Sequence, residues 1–259
     1  MIWRRQEACD STDQMGFSQR FRKKTKPRLP DGVRVYAIGD VHGRADLLQS
    51  LLTVIDVDLA RSAPRRAIQV FLGDYVDRGP DSRGVLDLLI ARSRTHETVC
   101  LKGNHEVFLL EVLKDPARLQ EWRHYGGLLT LVSYGITPTM NPTAEEQVEL
   151  IEELKHAIPP KHLAFVQQLP SSFTCGDFFF VHAGVKPGIP LERQRDEDML
   201  WIRDEFLASE EYFGKYVVHG HTPVSAPDIR ANRINIDTGA YATGNLTLLT
   251  IQGDSLLAI

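Results

Sequence analysis

The chain is poor in cysteine: Cys9, Cys100 and Cys175 are its only three among 259 residues. They are far apart and form no C-x-x-C pair, which argues against a disulfide frame or a thiolate zinc site. Free thiols in a reducing, cytoplasmic setting are the expectation. Also missing is any run of 18 apolar residues, so no membrane-spanning helix is expected. The opening "MIWRRQEACD" lacks the apolar core of a secretory signal. Positive charge is scarce outside the first segment. Residues 1–30 hold eight Lys/Arg against three acids, whereas the remainder holds 22 against 31. An acidic body excludes general nucleic-acid binding as a first expectation. The basic stretch "RFRKKTKPRLP" (Arg20 to Pro30) has no periodicity and ends in prolines, so residues 1–30 read as a disordered tail.

What is present is the composition of a soluble globular protein, 42% hydrophobic and 25% charged. Residues 31–259 suffice for a single α/β domain, and a monomer is the simplest state. From Val33, apolar strands alternate with amphipathic helices. "VRVYAI" (33–38), "AIQVFL" (67–72) and "TVCLK" (98–102) read as strands, with helices expected over 45–60, 83–93 and from Val107 onward. This order argues for β-α-β units and a parallel layer. A helical segment fills about 107–169, and short strands follow Pro170, interrupted by one helix near "EDMLWIRDEFL".

The polar residues collect where strands end. "GDVHG" follows the first strand, "GDYVDRG" the second and "GNHE" the third, while "HAG" and "HGHT" follow two later ones. Strand exits along one edge of an α/β sheet converge on one crevice, the usual ligand position in such folds. Asp40 and His42 are two apart in an extended segment and can share an ion. Asp74 is placed to bridge to a second ion, which Asn104, His182 and one histidine of "HGHT" (His219 or His221) would complete. Carboxylate, imidazole and amide donors without sulfur suit Mn, Fe or Zn. Two such ions activate water and clamp a phosphate. His105 is then placed to protonate a leaving oxygen, Asp77 to orient His105, and Arg78 to fork onto phosphate oxygens.

"GDVHG…GDYVDRG…GNHE", with the later "HAG" and "GHTP", resembles the signature of the PPP family of metal-dependent serine/threonine phosphatases, within the calcineurin-like metallophosphoesterases. The tail from "GHTPVSAPDIR" onward looks closest to the short bacterial and bacteriophage members. The resemblance implies a four-layer α/β/β/α sandwich of two mixed sheets with flanking helices. It implies Asp40, His42 and Asp74 on a first metal, and Asp74, Asn104, His182 and His221 on a second, with manganese the usual ion. Arg203 in "MLWIRDEF" matches the family's second phosphate-binding arginine. The implied reaction is dephosphorylation of phosphoserine or phosphothreonine proteins by in-line attack of a metal-bridging hydroxide, with His105, Asp77, Arg78 and Arg203 as the catalytic set.

Two other activities stand beside it. Phosphotyrosine phosphatases share the motifs. Symmetrical diadenosine tetraphosphate hydrolases share the metal loops but usually carry Ala at the position of Asp77 and "GNHD" for "GNHE". A rival of another class, a non-catalytic scaffold, would show broken ligand loops, and here each is filled. His219 reads as a polar rim residue, and Trp122 and Tyr125 as packing aromatics rather than lining of a groove. His96, His124, His156 and His162 read as surface or packing histidines, and Cys100 as a small core residue.

Overall fold

A computed structural model describes residues 26–139 and 141–259. Most of the expected tail therefore lies outside the described residues. Its last part is held against the body: Leu29 is fully buried and donates its amide to the Gly253 carbonyl at 2.8 Å.

The first half alternates β1 (Val33–Ile38), α1 (Ala45–Arg61), β2 (Arg66–Phe71), α2 (Ser82–Ser93), β3 (Thr98–Cys100) and α3 (Asn104–Val112). The helical middle is α4 (Leu119–His124), α5 (Gly127–Ser133), α6 (Ala144–Ala157) and α7 (Pro160–Gln167). Then come β4 (Ser172–Cys175), β5 (Phe178–Val181), α8 (Asp196–Trp201), α9 (Asp204–Leu207) and β6 (Tyr216–His219). The chain closes with β7 (Asp228–Ile229), β8 (Arg233–Asn235), α10 (Ala240–Thr243), β9 (Leu248–Gln252) and β10 (Ser255–Ala258).

Two five-stranded sheets result, ordered β10-β9-β1-β2-β3 and β4-β5-β6-β8-β7. Both are mixed: β1, β2 and β3 run parallel while β9 is antiparallel to β1, and β5, β6 and β8 run parallel while β4 and β7 are antiparallel edges. Alternation along the strands explains the layering. Val33, Val35 and Ala37 of β1 meet Phe178 and Phe180 of β5 between the sheets, whereas Tyr36 and Ile38 face the cluster formed with α1 and α2. Phe179 and Val181 point the other way, onto Met199 and Phe206 of the short helices. The outcome is the expected four-layer α/β/β/α sandwich.

Two local readings need correction. The helix expected from Val107 begins at Asn104, because the Glu106 carboxylate turns back and accepts the Gly103 amide at 2.9 Å, satisfying a first-turn donor. The single helix expected over "EDMLWIRDEFL" is split into α8 and α9. Ile202 is extended (φ −62, ψ 141), and the break sets Arg203 between the two pieces.

Candidate metal centre

Five non-glycine residues among those described have left-handed backbones: His42, Asp74, Asp77, Arg78 and His221. All five belong to the strand-exit loops. Such conformations are costly for residues with a Cβ and persist only where surrounding contacts over-determine them. Here the loops stitch to one another. The Asp74 carbonyl accepts the amides of Val41 and His42 at 3.2 and 2.7 Å, and the Gly126 carbonyl accepts that of Arg78 at 3.2 Å. Glycine is required where loops touch: a Cβ on Gly79 would lie 1.9 Å from the His42 carbonyl oxygen, and one on Gly220 would lie 2.1 Å from Asp40 Oδ1.

Asp74 is the centre of the arrangement. Its Oδ2 lies 3.4 Å from His42 Nε2 and 3.8 Å from His105 Nε2, and its Oδ1 lies 3.4 Å from His182 Nε2. Two buried clusters therefore share it, one with His42 and His105, the other with His182 and His221. Asn104 Oδ1 joins the second cluster, 2.9 Å from His182 Nε2 and 3.0 Å from His221 Nδ1. Backbone carbonyls fix the ring orientations. His42 Nδ1 donates to Val76 and His182 Nδ1 to Leu72, each at 2.9 Å, which turns both Nε2 lone pairs toward Asp74. Asp40 accepts the His221 amide on Oδ2 at 3.0 Å, while its buried Oδ1 has no hydrogen-bond partner.

Burial disfavours a charged Asp74, but His182, His105, His42 and His221 outweigh it and hold the carboxyl well below the usual range. Asp40 behaves oppositely: burial, then the charges of Asp237 and Asp74, push it well above that range. Burial also raises Asp237, to about 6. Three carboxylates are held close in a dry site, where Asp40 and Asp237 stay raised despite nearby arginines, and the bare Oδ1 of Asp40 has no hydrogen-bond donor. Both features fit divalent cations held by oxygen and imidazole donors.

The remaining residues surround these clusters. Asp77 is fully buried, and its Oδ2 lies 2.7 Å from His105 Nδ1 while accepting the Trp122 indole N–H at 2.8 Å. Its Oδ1 accepts the Thr130 hydroxyl at 2.6 Å. His105 thus presents a buried Nε2 with no hydrogen-bond partner toward Asp74. Burial alone would lower the His105 pKa, yet Asp74 and Asp77 raise it. Arg78 donates to His42 Nε2 at 3.2 Å and Arg203 to His221 Nε2 at 3.1 Å, placing one guanidinium beside each cluster. All ten residues singled out from the sequence fall within this one contact network.

Other readings change. His219 is no rim residue; it is fully buried with its ring against Phe206 at 4.9 Å, and burial drives its pKa down to about 3. Trp122 packs in the core, as expected of a helix aromatic, but its N–H also serves Asp77. Glu106 was passed over by sequence reasoning although it anchors the whole Asp74 loop. Its two oxygens accept the amides of Asp74 at 2.9 Å, Tyr75 at 2.8 Å and Val76 at 3.3 Å, besides that of Gly103. The signal available was its place three residues after a helix-capping glycine.

Residues 33–248 match the family of calcineurin-like phosphoesterases. The chain belongs to that family. It is a metal-dependent phosphoesterase whose His/Asp clusters are of the dinuclear type. Among its relatives, an asymmetrical bis(5'-nucleosyl)-tetraphosphatase of Halalkalibacterium halodurans is 28% identical over 237 residues, covering 82% of this chain and 87% of that one. Its counterpart in Bacillus subtilis is 28% identical over 232 residues, covering 81% and 87%. A solved structure provisionally described as a diadenosine tetraphosphatase superposes with a TM-score of 0.63 at 21% identity, covering 89% of this chain and 98% of that one, which bears on the fold. The narrower resemblance to serine/threonine phosphatases is not what the two named relatives carry. Among the described residues no helix is long and apolar enough to cross a membrane.

Proposed function

We propose that this phosphoesterase cleaves a nucleoside polyphosphate, with a dinucleoside tetraphosphate cut asymmetrically as the leading substrate. The observation that carries the substrate class is the extent of likeness to the asymmetrical tetraphosphatases, over about four-fifths of both chains. The phosphoprotein substrate expected from the motifs gives way to this reading. So does the symmetrical alternative, whose features at Asp77 and Glu106 this chain lacks.

In this reading Asp40, His42 and Asp74 hold one ion, and Asp74, Asn104, His182 and His221 hold the other, with manganese the first metal to test. When bound, the ions draw charge off the phosphate and supply an activated water. Arg78 and Arg203 orient the phosphate oxygens through forked N–H donors. His105, with Nδ1 tied to Asp77, keeps its proton for the leaving oxygen at Nε2.

A second reading, phosphomonoester hydrolysis, is favoured by the Asp77–His105 pair. A general acid matters most for a poor leaving group such as an alkoxide, and less for a phosphate leaving from an anhydride.

Metal-stripped protein, reloaded with Mn²⁺, is to be given diadenosine tetraphosphate and the nucleotide products separated. ATP with AMP is the expected pair, absent from an Asp74→Asn control. Two molecules of ADP would refute the asymmetrical assignment. Turnover of aryl phosphates without nucleotide cleavage would favour the monoesterase.

A further inference from the structure

Four aromatic side chains are exposed among the described residues: Tyr125, Trp201, Tyr212 and Tyr241. Isolated exposed aromatics are ordinary. Three of these four, however, lie against histidines of the metal centre. Tyr241 stands edge-on to His42 at 5.4 Å, Tyr125 is 6.2 Å from His105 and Trp201 is 6.4 Å from His221.

Their faces differ in availability. The Tyr241 ring already carries the Arg78 guanidinium, 5.0 Å from its centroid. Tyr125 instead stacks one face on Phe108 (4.7 Å, 28° between planes) and is 37% exposed. Trp201 meets the same Phe108 edge to face at 5.3 Å and 86°, and is 36% exposed. Phe108, itself buried, therefore backs two half-open rings. The three form one aromatic wall drawn from α3, the end of α4 and the end of α8. It begins one ring away from His105 and His221.

We propose that the purine base of a nucleoside polyphosphate stacks on the Trp201 ring, which Phe108 backs beside Tyr125, while its phosphates occupy the metal centre. Trp201 selects nucleotides over base-free polyphosphates. This inference rests on the nucleotide reading above. The physical basis is stacking: every base offers a π-face, offset or edge contacts between aromatic planes are favourable, and a rigid indole loses little freedom on making them. The position of Trp201 couples the two recognitions, since Arg203, two residues on, touches His221. A phosphoserine or phosphothreonine side chain, which has no ring, would gain no comparable planar match.

The test compares diadenosine tetraphosphate with inorganic tripolyphosphate, which has anhydride bonds and no base. Trp201→Ala is expected to lower kcat/KM for the dinucleotide by about tenfold or more, mainly through KM. The ratio between the two substrates should fall with it, and Trp201→Phe should restore most of the preference. A second readout is intrinsic fluorescence with Mg²⁺ and a β,γ-methylene ATP analogue. In a Trp3→Phe background, quenching is expected and should be absent once Trp201→Phe is added, because the one remaining tryptophan, Trp122, is buried and not accessible to the base. If the wild type cleaves the dinucleotide but Trp201→Ala leaves the ratio unmoved and Trp201→Phe in that background is still quenched, the stacking face is wrong and the nucleotide reading stands. If the wild type cleaves only base-free or aryl phosphates, the nucleotide reading fails and takes this inference with it.

Discussion

Glu106 accepts the backbone amide of Asp74 at 2.9 Å, and Asp74 in turn accepts the amide of His105, next to Glu106, at 3.1 Å. Two loops at the ends of β2 and β3 are therefore locked reciprocally, each carboxylate fixing the other's backbone. The lock holds Asp74 in its left-handed conformation, φ 51, with one oxygen toward each histidine cluster.

Replacing Glu106 by Gln would keep the shape but turn one acceptor oxygen into an NH₂ facing amide donors. A buried group left without its bond costs about 1–3 kcal/mol, so the denaturant midpoint should fall accordingly. Loss of a group that orients metal ligands typically weakens metal affinity by about 10–100-fold. Titration calorimetry with Mn²⁺ checks the second effect. Unchanged metal affinity in a folded Glu106→Gln protein would show that the lock does not serve the ligands.

Asp237 illustrates an opposition between stability and binding. It is buried beside Asp40, and its charge contributes to pushing the Asp40 carboxyl upward. Asp237→Asn should therefore stabilise the metal-stripped protein, while the same loss of negative charge weakens divalent binding. Thermal denaturation with and without Mn²⁺ should show a higher Tm than wild type in chelator and a smaller metal-induced rise. A lower Tm in both conditions would mean that the Asp237 bond to the Gly239 amide, 2.8 Å, outweighs the repulsion.

Much of this centre was legible because its chemistry sits in short loops of fixed local pattern. Carboxylate and imidazole residues beside glycines at five strand exits announce a shared edge, and the alternation of β1 announces which face is inward. The supporting contacts were not legible, because they span long sequence separations. Trp122 and Thr130 reach Asp77 across 45 and 53 residues from the helical segment. Nothing in a helix pattern distinguishes an indole that only packs from one that also donates. His219 was misread for a similar reason: only Gly220 separates it from His221, but β6 carries its side chain onto Phe206.

The His105 assignment predicts a dependence on leaving group. With His105→Asn, hydrolysis of an alkyl phosphomonoester should fall by about 10²–10⁴-fold. p-Nitrophenyl phosphate, whose leaving group needs no proton, should lose far less. Asp77→Asn should give a smaller loss of the same pattern, since Trp122 and Thr130 still constrain the side chain while the imidazole loses its anionic partner. Equal losses for both esters in His105→Asn would overturn the role of proton donor.

Part of the acid sensitivity of the fold should originate away from the metal centre, where α2 meets α7. His162 is fully buried, with Nδ1 2.8 Å from the Tyr134 hydroxyl and Nε2 3.1 Å from Asp87, which Lys161 also pairs. Burial lowers the His162 pKa despite Asp87. For Asp87, burial pulls upward, but Lys161 and His162 prevail and its pKa is lowered. Both groups bind protons more weakly folded than unfolded, so each adds stability above its unfolded pKa and loses it as pH falls toward the folded one. The histidine contribution starts to fade below about pH 6.5 and the carboxylate contribution below about pH 3.9. Asp87 is 41% exposed at its side chain, so its own share is small. Urea midpoints of metal-stripped protein should therefore fall between pH 7.5 and 5.5. In His162→Gln, which keeps polar groups for Tyr134 and Asp87 but cannot titrate, that fall should be reduced. An undiminished slope would show that His162 contributes nothing beyond the buried histidines in and beside the centre, whose pKa values are also lowered.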